Sequence, residues 1–255
     1  MQEIIIVLVS FTLGSFSNTV ISYYIGSSKL DLKRSYCFCG SRKLKVYELI
    51  PVISYLALKG RCQSCKKNIS IRFLLVELLF PFLGLLCFYK YGFTISFVLT
   101  FICFCLLIII GIVDYHSFMI PNSLIIILST VLILKAIYIN ENILPEIIAS
   151  ISIALLFILV NYLFMKIKEH DVIGFGDIKL LMALMFLVKV PLSLFALWFS
   201  SLIAIPVFFI MKLFIKRFSE EIRIPFGVFL GIGFILVKYF SEDIYSCYFS
   251  LLERI

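Results

Sequence analysis

Residues 101–114 read FICFCLLIIIGIVD, thirteen residues without a charge and then an aspartate. With its upstream flank from Ile95, the run is about as long as the roughly 20 residues a helix needs to cross a bilayer. Comparable runs recur at 4–24, 73–90, 95–113, 121–139, 146–165, 177–189, 191–211 and 225–240. The chain has 255 residues, is 62% hydrophobic and has a mean hydropathy of +1.12. Soluble domains are only about 45–50% apolar and could not bury so much surface. The sequence therefore predicts an all-α polytopic membrane protein with about eight transmembrane helices. The sixth run is short and is expected to be tilted or partly re-entrant, and Pro191 parts it from the seventh. Met1–Ile6 carries Glu3 and no Lys or Arg. The first run is thus expected to remain as a span, since a cleavable signal has a basic start.

The net charge of +8 is unevenly spread. Gly26–Arg72 contains eleven Lys/Arg (Lys29, Lys33, Arg34, Arg42, Lys43, Lys45, Lys59, Arg61, Lys66, Lys67 and Arg72) against Asp31 and Glu48, a local charge of +9. Nucleic-acid binding is one reading of such a loop. Beside a membrane span the topological one is preferred, because Lys and Arg mark the cytoplasmic side, with attraction to anionic lipid as a by-product. This divides the chain into a first transmembrane helix (1–25), a cytoplasmic Cys-rich insert (26–72) and a polytopic membrane domain (73–255). Alternation places the N-terminus outside and the loops near 114–120, 166–176 and 212–224 in the cytoplasm.

Ionisable residues at membrane depth are costly and usually functional. Glu77, Asp114, Asp177 and Lys179 stand out. Asp114 closes its apolar run, and Asp177 opens the sixth within Gly174-Phe-Gly176-Asp177-Ile-Lys179. Both aspartates fall at cytoplasmic helix ends, so two carboxylates from different spans can meet at one depth. In a low-dielectric site such a pair cannot both ionise easily; one keeps a proton and the other acts as base. The alternative is that Asp114 only ends one helix and Asp177 N-caps the next, a position Asp favours. Gly174 and Gly176 fit a tight loop at a helix start.

Cys37, Cys39, Cys62 and Cys65 lie in the insert as C-F-C and C-Q-S-C; Cys87, Cys103, Cys105 and Cys247 are scattered in or near spans as packing residues. Two close pairs in a cytoplasmic loop suggest a tetrahedral Zn²⁺ site, structural because all four positions are filled by protein. A disulfide staple is disfavoured in that compartment. His116 and His170 are the two histidines. They permit a rival metal centre of Asp114, His116, His170 and Asp177. A transporter using the same acids to carry ions is a rival of another class, although it leaves the cysteine insert unexplained.

These residues, taken in order, resemble the type IV prepilin peptidases, the bifunctional leader peptidase and N-methyltransferase family, over nearly the whole chain. Gly14-Ser-Phe-Ser-Asn18 is similar to the family's opening span. Cys37-Phe-Cys39-Gly40, Ile50-Pro-Val-Ile-Ser-Tyr-Leu56, Lys59-Gly-Arg-Cys62-Gln-Ser-Cys65 and Ile69-Ser-Ile-Arg72, leading to Val76-Glu77, resemble its insert. Asp114 with Ile120-Pro121-Asn122 is similar to the first catalytic motif and Gly174–Lys179 to the second, G-x-G-D-x-K. Ile224-Pro-Phe-Gly-Val-Phe-Leu230 is similar to the late proline–glycine motif. Two positions depart from the pattern. The family's first cysteine pair is usually C-P-x-C, and Glu48-Leu49 stand where Asp-Asn is common.

The resemblance implies Asp114 and Asp177 as a catalytic pair in an aspartic peptidase of the bacterial inner membrane. Gly174, Gly176, Lys179 and Glu77 would support them. It implies zinc on the four insert cysteines and S-adenosylmethionine as methyl donor. The implied partners are membrane lipid and a type IV prepilin or pseudopilin, cut after a glycine and then methylated, commonly on Phe; no nucleic acid is involved. The charge count yields an expected outcome of its own. Eighteen Lys/Arg fall inside and five outside (Lys90, Lys135, Lys189, Lys238 and Arg254), so an impermeant thiol reagent applied to intact cells leaves Cys62 unlabelled. Labelling there would reverse the topology.

Overall fold

A computed structural model describes residues 1–26, 46–63, 65–139, 142–168, 173–214 and 224–252. Among these residues ten α-helices follow one another: α1 (Gln2–Tyr24), α2 (Ile53–Ala57), α3 (Ile71–Tyr91), α4 (Ile95–Ser117), α5 (Asn122–Tyr138), α6 (Leu144–Lys168), α7 (Phe175–Leu184), α8 (Leu192–Phe214), α9 (Phe226–Tyr239) and α10 (Ser241–Leu252). No strand occurs among the described residues; there is one isolated bridge, Arg61 to Asn68. Five helices (α1, α3, α4, α6 and α8) are long and apolar enough to cross a membrane. The architecture fits a polytopic membrane protein.

The count of eight spans is not met by length. A helix stands at each of the eight expected places, but α5, α7 and α9 have 17, 10 and 14 residues. At 1.5 Å per residue α7 reaches only about 15 Å, half of a hydrocarbon core about 30 Å thick. Its N-cap is Gly174, and it gives way to turns after Leu184, well before Pro191. Hydropathy is blind to such an early stop, since the turn residues are themselves apolar.

The chain packs as two compact units, Met1–Phe101 and Ile102–Ile255. In the first, α1 and α3 form an antiparallel pair along a seam of small and polar residues. Ser10, Gly14, Asn18 and Ser22 recur at every fourth position of α1 and are all buried, a spacing that keeps them on one helix face. A Cβ on Gly14 would lie 3.1 Å from the Glu77 Cα, so the two backbones approach closely there. Lower down the seam, Asn18 Nδ2 donates to the Phe73 carbonyl (3.0 Å) and Arg72 donates to Ser22 Oγ (3.0 Å). Small residues with interhelical hydrogen bonds are how helices associate where lipid removes the hydrophobic drive.

The described end of the insert belongs to this unit. Gly60 (φ +67°) takes a left-handed turn beneath Tyr55. The Ile69 N–H donates to the Gly60 carbonyl (2.7 Å) and the Cys62 N–H to that of Lys67 (2.9 Å). Lys66 donates back to the Cys62 carbonyl (3.0 Å), and C-Q-S-C closes into a tight turn. Cys37 and Cys39 lie outside the described residues.

In the second unit, α9 is central, packing on α8, α7 and α10. Its glycines admit α4: Gly231 faces the Leu107 backbone, and Gly111 of α4 faces Val228. A Cβ on Gly233 would come within 3.0 Å of the Ser200 Cβ and 3.1 Å of its Cα, on α8. Gly233→Ala is therefore expected to destabilise the folded protein by about 1–3 kcal/mol, as overpacking does. Ser200→Gly, added to it, returns much of that. Thermal unfolding in detergent of the two variants and the pair measures both; an unchanged midpoint for Gly233→Ala would count against this packing.

Candidate active site

Four helix ends of the second unit gather around Ile120. α4 ends just past Asp114, where the Phe118 N–H donates to the Asp114 carbonyl (2.8 Å) and Phe118 adopts φ +51°. This left-handed residue ends the helix as a C-cap does and turns the chain through Met119, Ile120 and Pro121 into α5. Ser117 Oγ braces the turn, bonding the Val113 carbonyl (2.7 Å) and that of Met119 (3.2 Å). Ile120 is thereby brought against two glycines. A Cβ on Gly176 would sit 3.3 Å from the Ile120 Cβ, and one on Gly227 3.1 Å from its Cδ1. The G-x-G of α7 and the proline–glycine start of α9 are bare on the sides that meet one isoleucine.

Asp114 is 5% exposed. Its Oδ2 accepts a hydrogen bond from the Gly227 N–H (2.9 Å), and the Val228 N–H lies close enough to favour the charge of the carboxylate as well. These are the first amides of α9, whose N-cap, Pro225, has no side-chain cap bond. Helix N-termini present unsatisfied N–H groups and positive potential, and a carboxylate answers both. The capping alternative is thus half met: Asp114 caps a helix, but that helix is α9 and not its own.

Asp177 stands in the first turn of α7 and not at its N-cap, which is Gly174 without a side-chain cap bond. Its N–H donates to the Gly174 carbonyl (3.1 Å). Its carboxyl lies back over Gly174, whose added Cβ would fall 3.1 Å from Oδ2. Oδ1 is buried and has no hydrogen-bond partner among the described residues. Asp177 lies within electrostatic reach of Asp114. The two aspartates expected from the sequence thus stand on helix ends of the same unit with unequal settings: the Asp114 carboxylate is held by the first turn of α9, and Asp177 has an orphaned oxygen among the described residues.

Lys179 is exposed and donates to Asn122 Oδ1 (3.1 Å), tying α7 to the start of α5. Glu77 belongs to the first unit, where its carboxylate accepts the Val52 N–H (2.6 Å) and a hydrogen bond from Ser15. His116 is exposed, edge-on to Tyr115 (5.2 Å), and His170 lies outside the described residues. Among the described residues no three His, Cys, Asp or Glu are gathered to hold a metal. That removes Asp114, His116 and Asp177 as a ligand trio. Ile120 and Gly227 stand in motifs legible in the sequence, but that the two meet at Asp114 was not. Sequence reasoning missed Asn161 of α6, whose side chain holds Ile173 at the mouth of the Gly174 loop. The signal for Asn161 was legible: a lone amide in an apolar run.

Comparison with known proteins places this arrangement. Residues 8–91 match the model described as the Bacterial Peptidase A24 N-terminal domain, and 101–209 that of the Type IV leader peptidase family. The chain belongs to the type IV prepilin peptidase family. It is accordingly a multi-pass membrane enzyme. A protein of Vibrio cholerae named prepilin leader peptidase/N-methyltransferase is 30% identical over 246 residues, 90% of this chain and 93% of that one. One of the same name from Bacillus subtilis is 28% identical over 97% of this chain and 98% of its own. A third, from Dichelobacter nodosus, is 35% identical over 57% of this chain and 51% of its own. No solved structure matches the chain.

Proposed function

We propose that this prepilin peptidase cuts the short basic leader from a type IV prepilin or pseudopilin at the cytoplasmic face, with Asp114 and Asp177 as its catalytic pair. What supports the reading is that two carboxyls on separate helices of the second unit lie within electrostatic reach of each other, Asp114 on the N-terminus of α9 and Asp177 in the first turn of α7. Asp114, complemented by the α9 amides, suits the ionised role. It would take a proton from water, and the resulting hydroxide adds to the scissile carbonyl. Asp177, whose Oδ1 lacks a partner among the described residues, suits the protonated role. It would deliver its proton to the leaving amine. The two titrate as a unit, so the assignment concerns the pair.

Eight membrane-crossing helices, an external N-terminus and an inner-membrane location complete the proposal. The short α5, α7 and α9 would complete crossings through their flanking turns and local thinning of the bilayer. Their ends put the pair at the water-facing edge, where a helical substrate arriving from lipid presents its polar start.

The relatives' names carry N-methyltransferase activity, and the same activity is proposed here, served by the first unit. S-adenosylmethionine would supply the methyl group to the new N-terminal amine. Its amino-acid moiety bears an amine and a carboxylate. The first unit offers a buried acceptor, Asn18 Oδ1, and a buried donor, Arg72 Nε, neither with a partner among the described residues. Zinc on Cys37, Cys39, Cys62 and Cys65 is likewise proposed as structural. Cys62 and Cys65 fit that chemistry as two thiols across a hydrogen-bonded turn, a turn too small to have much core, so metal binding would serve as folding energy.

Asp114→Asn and Asp177→Asn are each expected to lower cleavage of a synthetic prepilin by roughly 10³-fold or more, since members of a catalytic unit are not individually dispensable. Gly227→Ala would set a methyl 2.8 Å from Asp114 Oδ2 and is expected to cost about 10- to 100-fold through misplacement. Substantial cleavage by either purified asparagine variant would sink the assignment. Elemental analysis should find one zinc per chain, and Cys62→Ser should impair methylation more than cleavage. A folded, active preparation without zinc would refute the metal site, and cleavage lost to a chelator and restored by metal would favour a metal-dependent peptidase.

A further inference from the structure

α6 crosses the second unit as an apolar helix with one buried amide, Asn161, 3% exposed. An unsatisfied amide there would be costly. Asn161 spends both halves of its side chain on a single residue. Nδ2 donates to the Ile173 carbonyl (2.7 Å), and Oδ1 accepts the Ile173 N–H (2.9 Å). Ile173 directly precedes Gly174, the N-cap of α7, and Asp177 lies in the first turn that follows. Eleven residues earlier on α6, Ser150 Oγ donates to the carbonyl of Met182 near the other end of α7 (3.1 Å). A short helix of ten residues, which carries one of the two aspartates, is thus strapped to a long one at both ends.

We infer that Asn161 is a positioning residue for cleavage: by clamping both polar groups of the Ile173 backbone, it fixes where α7 begins and so where the Asp177 carboxyl stands opposite Asp114. The inference rests on the aspartate-pair reading. A residue that only sealed the α6–α7 connection would affect stability and leave turnover alone. The clamp makes a different demand. The loop that leads to the carboxyl is Gly174-Phe-Gly176, whose two glycines carry no side chain to fix it, so its placement depends on the anchor at Ile173. Loss of that anchor should slow the chemical step and leave substrate capture, which lies elsewhere on the helical prepilin, unaffected.

The test uses the full-length enzyme in detergent and a synthetic prepilin with a basic leader, Gly-Phe and a following glutamate. Asn161→Ala is expected to lower kcat by about 10- to 100-fold, the effect of a misplacement of about 1 Å, with KM held within about threefold. Asn161→Asp adds a signature that a structural role lacks. Protonated, the new carboxyl has one donor and one acceptor and reproduces the amide pattern; ionised, it has no donor and faces the Ile173 carbonyl. Its kcat relative to the parent should therefore rise about tenfold from about pH 8 to about pH 5.5, across the upper part of the carboxyl range. Asn161→Ala with kcat within about twofold of the parent overturns the clamp, as does a flat pH ratio for Asn161→Asp, which decides alone if the alanine variant fails to accumulate. Asp177→Asn run beside them separates the two ideas. Cleavage retained there overturns the pair itself, whereas cleavage lost there with Asn161→Ala unaffected overturns only the clamp.

Discussion

A carboxylate buried among apolar helices must be answered by something, and for Asp114 the answer is the N-terminus of α9. Much of the second unit follows from that demand. The first amides of α9 must come within hydrogen-bond distance of α4, which requires Gly227 where a Cβ would strike the carboxylate. Gly111 and Gly231 continue the close approach of the two helices along their length. Once α4 and α9 are joined in this way, the turn after Asp114 delivers Ile120 into the remaining gap. The second glycine motif of the chain, before Asp177, closes on the same side chain.

The two units meet the problem of helix association in lipid by different means. α1 and α3 use a seam of serines, an asparagine and a glycine spaced every fourth residue, with Asn18 and Arg72 bonding across it. Among the described residues of the second unit the polar bonds between elements fall near helix ends: Asp114 to α9, Lys179 to Asn122, Asn161 to Ile173 and Ser150 to Met182. Between those ends the contacts are glycine against backbone, or leucine and phenylalanine packing. Polar groups of this unit therefore cluster where helices begin and end. The middle of the helices is left to dispersion and small residues.

Short helices have a consequence for the site. α7 cannot cross a hydrocarbon core by itself, and it owes its place to neighbours α5, α6 and α9. A span held by both membrane surfaces would be located by its own hydrophobic length. α7 is located by side chains instead: Lys179 to α5 at one face, Asn161 and Ser150 to α6 at both its ends. For the Asp177 carboxyl that is the tighter constraint, since hydrogen bonds tolerate only tenths of an ångström.

Composition and order alone determined that this is a helical membrane protein, where its apolar helices begin to within a few residues, and which aspartates stand at helix ends. Those features depend on hydropathy and on the cost of charge in lipid, both of which are local. The resemblance of ordered motifs to one peptidase family was legible for the same reason, being a matter of residues along the chain. What α7 and α9 lack in length was not legible, because the turns that stop α7 are as apolar as the helix. Nor could spacing reveal that Asp114 caps a helix 113 residues away, or that two glycine motifs converge on Ile120. A hydrogen bond between distant helices and a gap one methyl wide are properties of packing. Only the tertiary structure brings their two sides together.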